Sequence, residues 1–224
     1  MRLFLLALIL LVAAPAVAQV GTLEPVDKAA DDPSFVLFRA RLLEAVATRD
    51  TAFVLAHLHP DATISFGGDA GVVSFRRLWL DDSSGADLWT ELATFLPFGS
   101  TYETDPAMLT SGAEARAVVP YWFGAWPDGL DMFEHVLLVG ENVNVRAAPR
   151  GGAPVIAQLS HAIVRAGTAG SEEYDVAEGW MPVTLASGEV GFVASRYVRH
   201  PIGYRMGFEK TDGRWQITFF VAGD

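Results

Sequence analysis

The chain has no cysteine among its 224 residues, and this absence excludes several kinds of site. Disulfide frameworks, thiolate metal centres, cysteine nucleophiles and lipid attachment to an N-terminal cysteine all require the missing side chain. Positive charge is also scarce, because 16 Lys and Arg stand against 27 Asp and Glu, for a formal net charge of −11. A nucleic-acid-binding protein needs a basic face to displace phosphate counterions, so we expect no nucleic-acid partner.

The sequence also lacks an apolar run long enough to span a membrane. The apolar run at the N-terminus is too short for this. Arg2 precedes an apolar run over residues 3–12, which is followed by Pro15 and by the small-x-small sequence Ala16-Val17-Ala18. A membrane-spanning helix needs about 20 apolar residues. The pattern is typical of a secretory signal peptide over residues 1–18, with cleavage near Ala18. We therefore expect an exported protein, in the periplasm or outside a bacterial cell, without a stable membrane span.

Helix signals dominate residues 19–130, and they predict a mainly helical N-terminal domain. Asp32-Pro33 combines a capping carboxylate with proline at the first helical position, which is typical of a helix start. The apolar residues that follow recur at helical spacing and would form the buried stripe: Phe35, Phe38, Leu42 and Val46. The same reasoning predicts further helices after Asp50 and over residues 72–80, 86–96 and 105–117.

From residue 136 the pattern changes to short strands of alternating residues separated by glycine-rich turns, which is typical of a small β-barrel. The candidate strands cover residues 136–139, 143–146, 155–159, 180–185 and 190–193. Pro182 lacks an N–H group for a strand partner, so its strand is predicted at a sheet edge. Residues 201–224 form a separate tail, in which Asp212-Gly213 between two strand-like runs predicts a β-hairpin.

Four elements in residues 136–200 resemble the bacterial SH3-like domain family. They are the opening Asn142-Val143-Asn144-Val145-Arg146-Ala147-Ala148-Pro149, the short strand Val155-Ile156-Ala157-Gln158-Leu159, the strand Gly179-Trp180-Met181-Pro182-Val183, and the closing segment over residues 187–198. The resemblance implies a module that binds cell-wall peptides, peptidoglycan or protein segments and has no chemistry of its own. The expected fold class is therefore α+β: a mainly helical N-terminal domain, a small SH3-like β-barrel and a C-terminal β-hairpin tail. Residues 213–224 also resemble the last strand of nuclear-transport-factor-2-like domains, which favours packing of the tail on the N-terminal region, although packing on the barrel stays open.

No motif predicts catalysis, a metal site or a cofactor. His57-Leu58-His59-Pro60-Asp61 spells the H-x-H-x-D string of some metallohydrolases, but the segment is predicted to complete a helix, in which residues i and i+2 point in different directions. Asp69, in the glycine-rich turn over residues 65–71, lacks a partner acid or histidine for general-base work. An aromatic set is expected mainly in the core, with a groove as the alternative: Tyr121, Trp122, Phe123 and Trp126.

The candidate ligand site is a shallow aromatic and charged groove on the SH3-like domain, comprising Tyr174, Asp175, Trp180, Arg196 and Tyr197. The alternative is that Trp180 and Tyr197 simply fill a very small barrel. These expectations describe a non-enzymatic exported protein that binds cell-envelope material, either a peptidoglycan peptide or a protein segment. Two rival hypotheses remain: a small envelope hydrolase with a pocket in the N-terminal domain, and a structural protein whose barrel is packed internally.

Overall fold

A computed structural model describes residues 20–81, 87–167 and 179–223. The predicted signal peptide over residues 1–18 lies outside these ranges. Within them, thirteen strands form two sheets and are accompanied by only five α-helices. The protein is mostly β, so the expectation of a mainly helical N-terminal domain is wrong.

The strands are β1 (Gly21–Thr22), β2 (Leu58–Thr63), β3 (Thr101–Glu103), β4 (Ala115–Val119), β5 (His135–Leu138), β6 (Val143–Arg146), β7 (Val155–Leu159), β8 (Ala162–Ala166), β9 (Trp180–Thr184), β10 (Val190–Ala194), β11 (Val198–Arg199), β12 (Arg205–Thr211) and β13 (Arg214–Val221). The α-helices are α1 (Pro33–Thr48), α2 (Thr51–Ala56), α3 (Gly71–Arg76), α4 (Leu88–Phe95) and α5 (Tyr121–Gly124). Short 3₁₀ segments cover Lys28–Asp31 and Ser195–Tyr197, and a π-helical turn covers Arg77–Asp81.

The first sheet has five strands in the order β2-β13-β12-β4-β3 and is covered by helices on one face. Helices α1 to α4 and alternate residues of β2, β4, β12 and β13 contribute side chains to one core. Its largest fully buried side chains include Phe35 of α1, Phe75 of α3 and Phe208 of β12. We call the face away from these helices the outer face of the five-stranded sheet.

The predicted starts of the first two helices are confirmed. Asp32 accepts hydrogen bonds from the backbone N–H groups of Ser34 and Phe35 at the start of α1. Asp50 accepts the N–H of Phe53 and caps α2 in the same way. Both caps satisfy N–H groups that the first turn of a helix leaves without a partner.

The helix predicted over residues 105–117 is wrong, because residues 105–114 form turns and β4 begins at Ala115. Ala115, Ala117 and Val119 are buried while Arg116 and Val118 between them are less so, which is the period-two alternation of a strand with one face in a core. Strand β2 also takes residues 58–63, where the end of a helix was expected. Tertiary packing thus decides the conformation of segments whose local signals were weak.

The C-terminal hairpin is confirmed, and it lies in the centre of the five-stranded sheet. Asp212 and Gly213 both have positive φ, 50° and 72°, as expected for the two central residues of a type I′ turn. Strand β12 pairs with β4, and β13 pairs with β2. The hairpin therefore packs on elements of the N-terminal region.

The second sheet has eight strands and curls on itself. Its main path runs β11-β5-β8-β9-β10-β6-β7, with β1 paired to β8. Residues from opposite ends of this path, such as Leu138 of β5 and Val145 of β6, belong to one core. Each of the five strands predicted in residues 136–200 is confirmed within a residue or two.

The prediction that Pro182 places its strand at a sheet edge is wrong, because β9 lies between β8 and β10. The carbonyl of Pro182 accepts the N–H of Gly167 at 2.9 Å, so the proline nitrogen faces the same side, just beyond the last residue of β8. A Cβ on Gly167 would lie 2.7 Å from the Cβ of Pro182. A glycine opposite the proline therefore lets an internal strand accept a residue without an N–H donor.

A third cluster of buried side chains joins the two sheets. Tyr121, Trp122 and Trp126 pack against Leu137 of β5 and Ile163 of β8. Three members of the aromatic set are thus in a core, as expected. In the described parts of the chain, no helix has the length and apolar character needed to cross a membrane.

Candidate functional site

Three of the five predicted site residues meet at one pocket on the eight-stranded sheet. Trp180, Arg196 and Tyr197 line a pocket of about 230 Å³ together with Asn144, Arg146 and Ala194. We call these six residues the polar groove. The other two predicted residues, Tyr174 and Asp175, lie outside the described residues.

Strand alternation places Trp180 on the surface of the eight-stranded sheet. Its neighbours Met181 and Val183 belong to the core or pack against it, and successive side chains of a strand point to opposite faces. Trp180 therefore points away from the core and is only partly buried. Tyr197, in contrast, packs partly against the core.

Three neighbouring strands supply the floor of the polar groove. Val143 and Val145 of β6 are buried in the core, so Asn144 and Arg146 share the outer face, as the sequence pattern predicts. Ala194 of β10 is paired with Trp180 of β9. The order β9-β10-β6 brings these outer side chains side by side.

Two arginines give the polar groove its charge. The guanidinium carbon of Arg196 lies 4.7 Å from the ring centre of Tyr197, a cation–π contact. Arg146 donates from Nη1 to the carbonyl of Ala153 at 2.7 Å, which orients its side chain. Glu141 also lines the pocket, so the described lining carries two positive charges against one negative. Such a site suits a carboxylate beside an apolar or aromatic group.

A larger cavity of about 650 Å³ lies on the outer face of the five-stranded sheet. Its lining is mainly apolar and includes Phe66, Phe123, Met132, Phe133, Phe219 and Val221. These six residues and Arg205 form what we call the junction cleft. The two segments that link the sheets between β4 and β12, residues 120–134 and 200–204, both contribute to it.

Arg205 is the buried cation of the junction cleft, with a relative exposure of only 5%. Its guanidinium carbon lies 4.2 Å from the ring centre of Phe123 and 5.5 Å from that of Phe66. Its Nη2 donates to the carbonyl of Gly223 at 2.8 Å, and its Nη1 contacts two further backbone carbonyls at 3.3 and 3.4 Å. These aromatic rings and backbone carbonyls stabilise the positively charged guanidinium of Arg205 among apolar side chains.

Phe219 closes one side of the junction cleft by lying across Gly207. The two residues are directly opposite each other on β13 and β12. A Cβ on Gly207 would lie 2.1 Å from Cε1 of Phe219, so only glycine leaves room for the ring in this position.

The expectation that the H-x-H-x-D segment completes a helix is wrong. Helix α2 ends at Ala56, and β2 begins at Leu58. His57 Nδ1 makes a hydrogen bond to the carbonyl of Phe53 at 2.8 Å, and its ring lies 4.2 Å from the Phe53 ring. His59 Nδ1 accepts the N–H of Asp61 at 3.1 Å. In the described ranges, no group of three or more His, Asp or Glu side chains could hold a metal ion.

Asp69 is engaged in the turn that contains it. Its carboxylate accepts the hydroxyl of Ser65 at 2.7 Å and forms an ion pair with Arg77. The carbonyl of Asp69 accepts the N–H of Ile64. These contacts fix the glycine-rich turn at the end of β2.

In comparisons with protein-family models, curated proteins and solved structures, nothing matches this chain. The resemblance of residues 136–200 to bacterial SH3-like domains therefore stays a prediction.

Sequence reasoning identified the polar groove better than the junction cleft. Trp180, Arg196 and Tyr197 belong to motifs close together in sequence, whereas the cleft combines residues from five separate segments. Among the residues of the junction cleft, the sequence indicates only Phe123 as a groove candidate, through the aromatic set to which it belongs. In β12, Met206 and Phe208 face the core, so the period of two predicts that Arg205 faces the other side of the sheet. This alternation is the sequence signal that places an arginine on the outer face.

Proposed function

We propose that this protein is an exported, non-enzymatic binding protein that recognises a peptide of the cell envelope through the polar groove. The peptide part of peptidoglycan carries carboxylates along an extended backbone, and this chemistry matches a groove with two arginines. The observation that carries the proposal is the position of Trp180 on the outer face, beside Arg196 and Tyr197. An indole, a phenol and a guanidinium on a sheet surface are side chains that recur in peptide recognition.

The position of the sheet junction supports this proposal. The contacts between the sheets use Leu137 and Ile163, on β5 and β8. The polar groove uses β6, β9 and β10 instead. A ligand can therefore approach the groove while the two sheets stay packed together.

Retention of the mature protein on purified sacculi tests the proposal. Arg196→Glu reverses a charge on an exposed side chain, so the fold is expected to be kept. A lost charge-assisted hydrogen bond, at about 1.5–3 kcal/mol, corresponds to weaker retention by roughly 10-fold or more. Arg165→Glu is the matched control, because Arg165 is an exposed arginine of the same sheet that pairs with Glu134 at the surface.

The proposal predicts that wild-type and Arg165→Glu protein are retained equally on sacculi. It also predicts that Arg196→Glu protein is retained much more weakly. Equal retention of all three proteins would remove the polar groove from the interaction. Absence of wild-type retention would contradict envelope binding altogether. Clearing of a cell-wall substrate by the wild-type protein in a zymogram would instead favour the hydrolase hypothesis.

A further inference from the structure

The junction cleft is a second site, separate from the polar groove, and it has the size of a small-molecule site. It lies on the outer face of the five-stranded sheet, opposite the helices and the core that they cover. Its volume of about 650 Å³ is within the range of roughly 300–1,000 Å³ that is typical of small-molecule sites. The strands and connections that form it belong to the packed fold, so the cavity is largely preformed.

Aromatic rings line the cavity, and two of them are fixed by their neighbours. Phe219 lies across Gly207, where any larger residue would meet its ring, and Phe123 packs against a guanidinium. Phe66 and Phe133 are 55% and 62% exposed, although both line a concave site. An alkyl or aryl body would remove this apolar surface from water, which is the main favourable contribution to binding in such a site.

The buried arginine of the cleft is already engaged by the protein. Nη2 of Arg205 donates to the carbonyl of Gly223 at 2.8 Å, and Nη1 contacts the carbonyls of Ile202 and Gly203 at 3.4 and 3.3 Å. Its guanidinium also lies against two aromatic rings, and Arg205 has a further interaction besides these contacts. Arg205 therefore belongs to the wall of the cleft and is not a free charge for a ligand.

The acidic side chain of the cleft is engaged as well. Asp131 is an exposed residue, and its carboxylate accepts the N–H of Phe133 at 2.7 Å. A cationic ligand would meet the positive charge of Arg205, and an anionic ligand would meet the negative charge of Asp131. Either ion would also lose its hydration among apolar side chains, which is costly. The lining therefore favours a ligand without charge.

We propose that the junction cleft binds an uncharged, mainly apolar small molecule, with its alkyl or aryl body packed against the aromatic rings. A medium-chain alcohol or an uncharged ester has this chemistry. Arg205 and Asp131 keep their contacts within the protein when the ligand is bound. The proposal does not depend on the function of the polar groove, because the two sites share no residue.

A series of head groups tests the absence of charge. Isothermal titration with decanol, decanoate and decyltrimethylammonium, each below its solubility limit and micellar concentration, compares three head groups on one chain. We expect decanol to bind at least about fivefold more tightly than either ion. Binding of either ion as tightly as decanol would overturn the assignment of an uncharged ligand.

A change of chain length tests the apolar contact. Octanol is expected to bind at least about fourfold more weakly than decanol, because it removes two fewer methylene groups from water. Equal affinities for the two alcohols would overturn the assignment of an apolar body in the cleft.

Variants of exposed residues locate the bound ligand. Phe133→Ala and Phe66→Ala each remove a ring from the cleft and are expected to weaken decanol binding by roughly three- to tenfold. Thr63→Trp, which adds an indole at the exposed end of β2, should prevent binding by filling the cavity. Met108→Ala is the control, because Met108 is 59% exposed and does not line the cleft. Equal losses in all four variants, or a loss in none, would overturn the location.

Two further measurements distinguish a small molecule from a larger partner. Phosphatidylglycerol vesicles that bind the protein, when decanol does not, would overturn the proposal in favour of a membrane surface. A dimer in sedimentation velocity that Phe133→Ala abolishes, again without decanol binding, would overturn it in favour of a second copy of the chain. Arg196→Glu protein should bind decanol with unchanged affinity, and a loss there would overturn the separation of the two sites.

Discussion

The carboxylate of Asp32 joins the start of α1 to β3, and its removal gives a quantitative test of the fold. One oxygen accepts the N–H and the hydroxyl of Ser34, at 2.8 and 2.6 Å, and the N–H of Phe35 at 3.3 Å. The other oxygen accepts the hydroxyl of Tyr102 at 2.8 Å. Burial opposes the ionised form, but these hydrogen bonds outweigh it and lower the pKa of Asp32 to about 2. Burial, together with the bond to Asp32, raises the pKa of Tyr102 to about 12.

Replacing Asp32 with Ala is expected to lower the free energy of unfolding by about 2 kcal/mol at pH 7. Loss of a helix cap contributes about 1 kcal/mol, and a Tyr102 hydroxyl without its acceptor contributes about 1 kcal/mol more. The lowered pKa gives an independent limit, because a fall from 3.8 to about 2 corresponds to at most about 2.4 kcal/mol. Since Asp32 is only partly buried, screening by solvent reduces this electrostatic part to about 1–2 kcal/mol.

The stability that the Asp32 carboxylate contributes is expected to decrease at acidic pH. A carboxylate whose pKa is lowered by folding stabilises the protein above its unfolded pKa of 3.8. This contribution is lost as the pH falls from about 4 towards 2. Asp32→Asn protein should therefore lose less stability than wild-type protein between pH 5 and pH 3.

Urea unfolding followed by tryptophan fluorescence measures both effects. Asp31→Ala is the control, because Asp31 is an exposed neighbour outside this hydrogen-bond network. A double-mutant cycle of Asp32→Asn with Tyr102→Phe should give a coupling energy of about 1 kcal/mol. Strict additivity in this cycle, or equal losses for Asp31→Ala and Asp32→Ala, would refute the proposed link between α1 and β3.

Three further changes test the packing of the five-stranded sheet. Gly207→Ala should destabilise the protein by about 1–3 kcal/mol in urea unfolding, because a new methyl group would meet the Phe219 ring; an unchanged midpoint would contradict this packing. Trp215→Phe removes the 3.0 Å hydrogen bond from the indole N–H to Ser34 and should cost about 1 kcal/mol, whereas Trp180→Phe, outside that core, should cost less. Removal of residues 201–224 takes away both central strands, so calorimetry should show no cooperative unfolding of this sheet; a melting curve like that of the full chain would contradict the strand order.

The features that could be predicted from the sequence are determined by residues only a few positions apart. Asp32 and Asp50 cap helices that begin at the next residue, and Asp212-Gly213 forms the turn between the strands that flank it. Asn144 and Arg146 alternate with core valines inside one strand. In each case the backbone conformation and the residue pattern are fixed by local chemistry.

The features that could not be predicted depend on partners far away in the chain. Strand β4 pairs with β12, and β2 pairs with β13, so each strand depends on a partner far away in the sequence. Pro182 is accepted inside a sheet only because Gly167 faces it. The junction cleft has no sequence motif, because its rings and its arginine come together only after both sheets have formed.

The order of the strands explains why a cleft lies at the junction. The chain leaves the five-stranded sheet after β4, forms nearly all of the eight-stranded sheet, and returns as β12, which pairs directly with β4. The two connecting segments must therefore run close together past the outer face of the first sheet. Aromatic residues of the first connection pack between the sheets, while Phe123 and Phe133 remain on the cleft side with Arg205 from the returning strand. The cavity is thus bounded by the two segments that link β4 and β12 to the eight-stranded sheet.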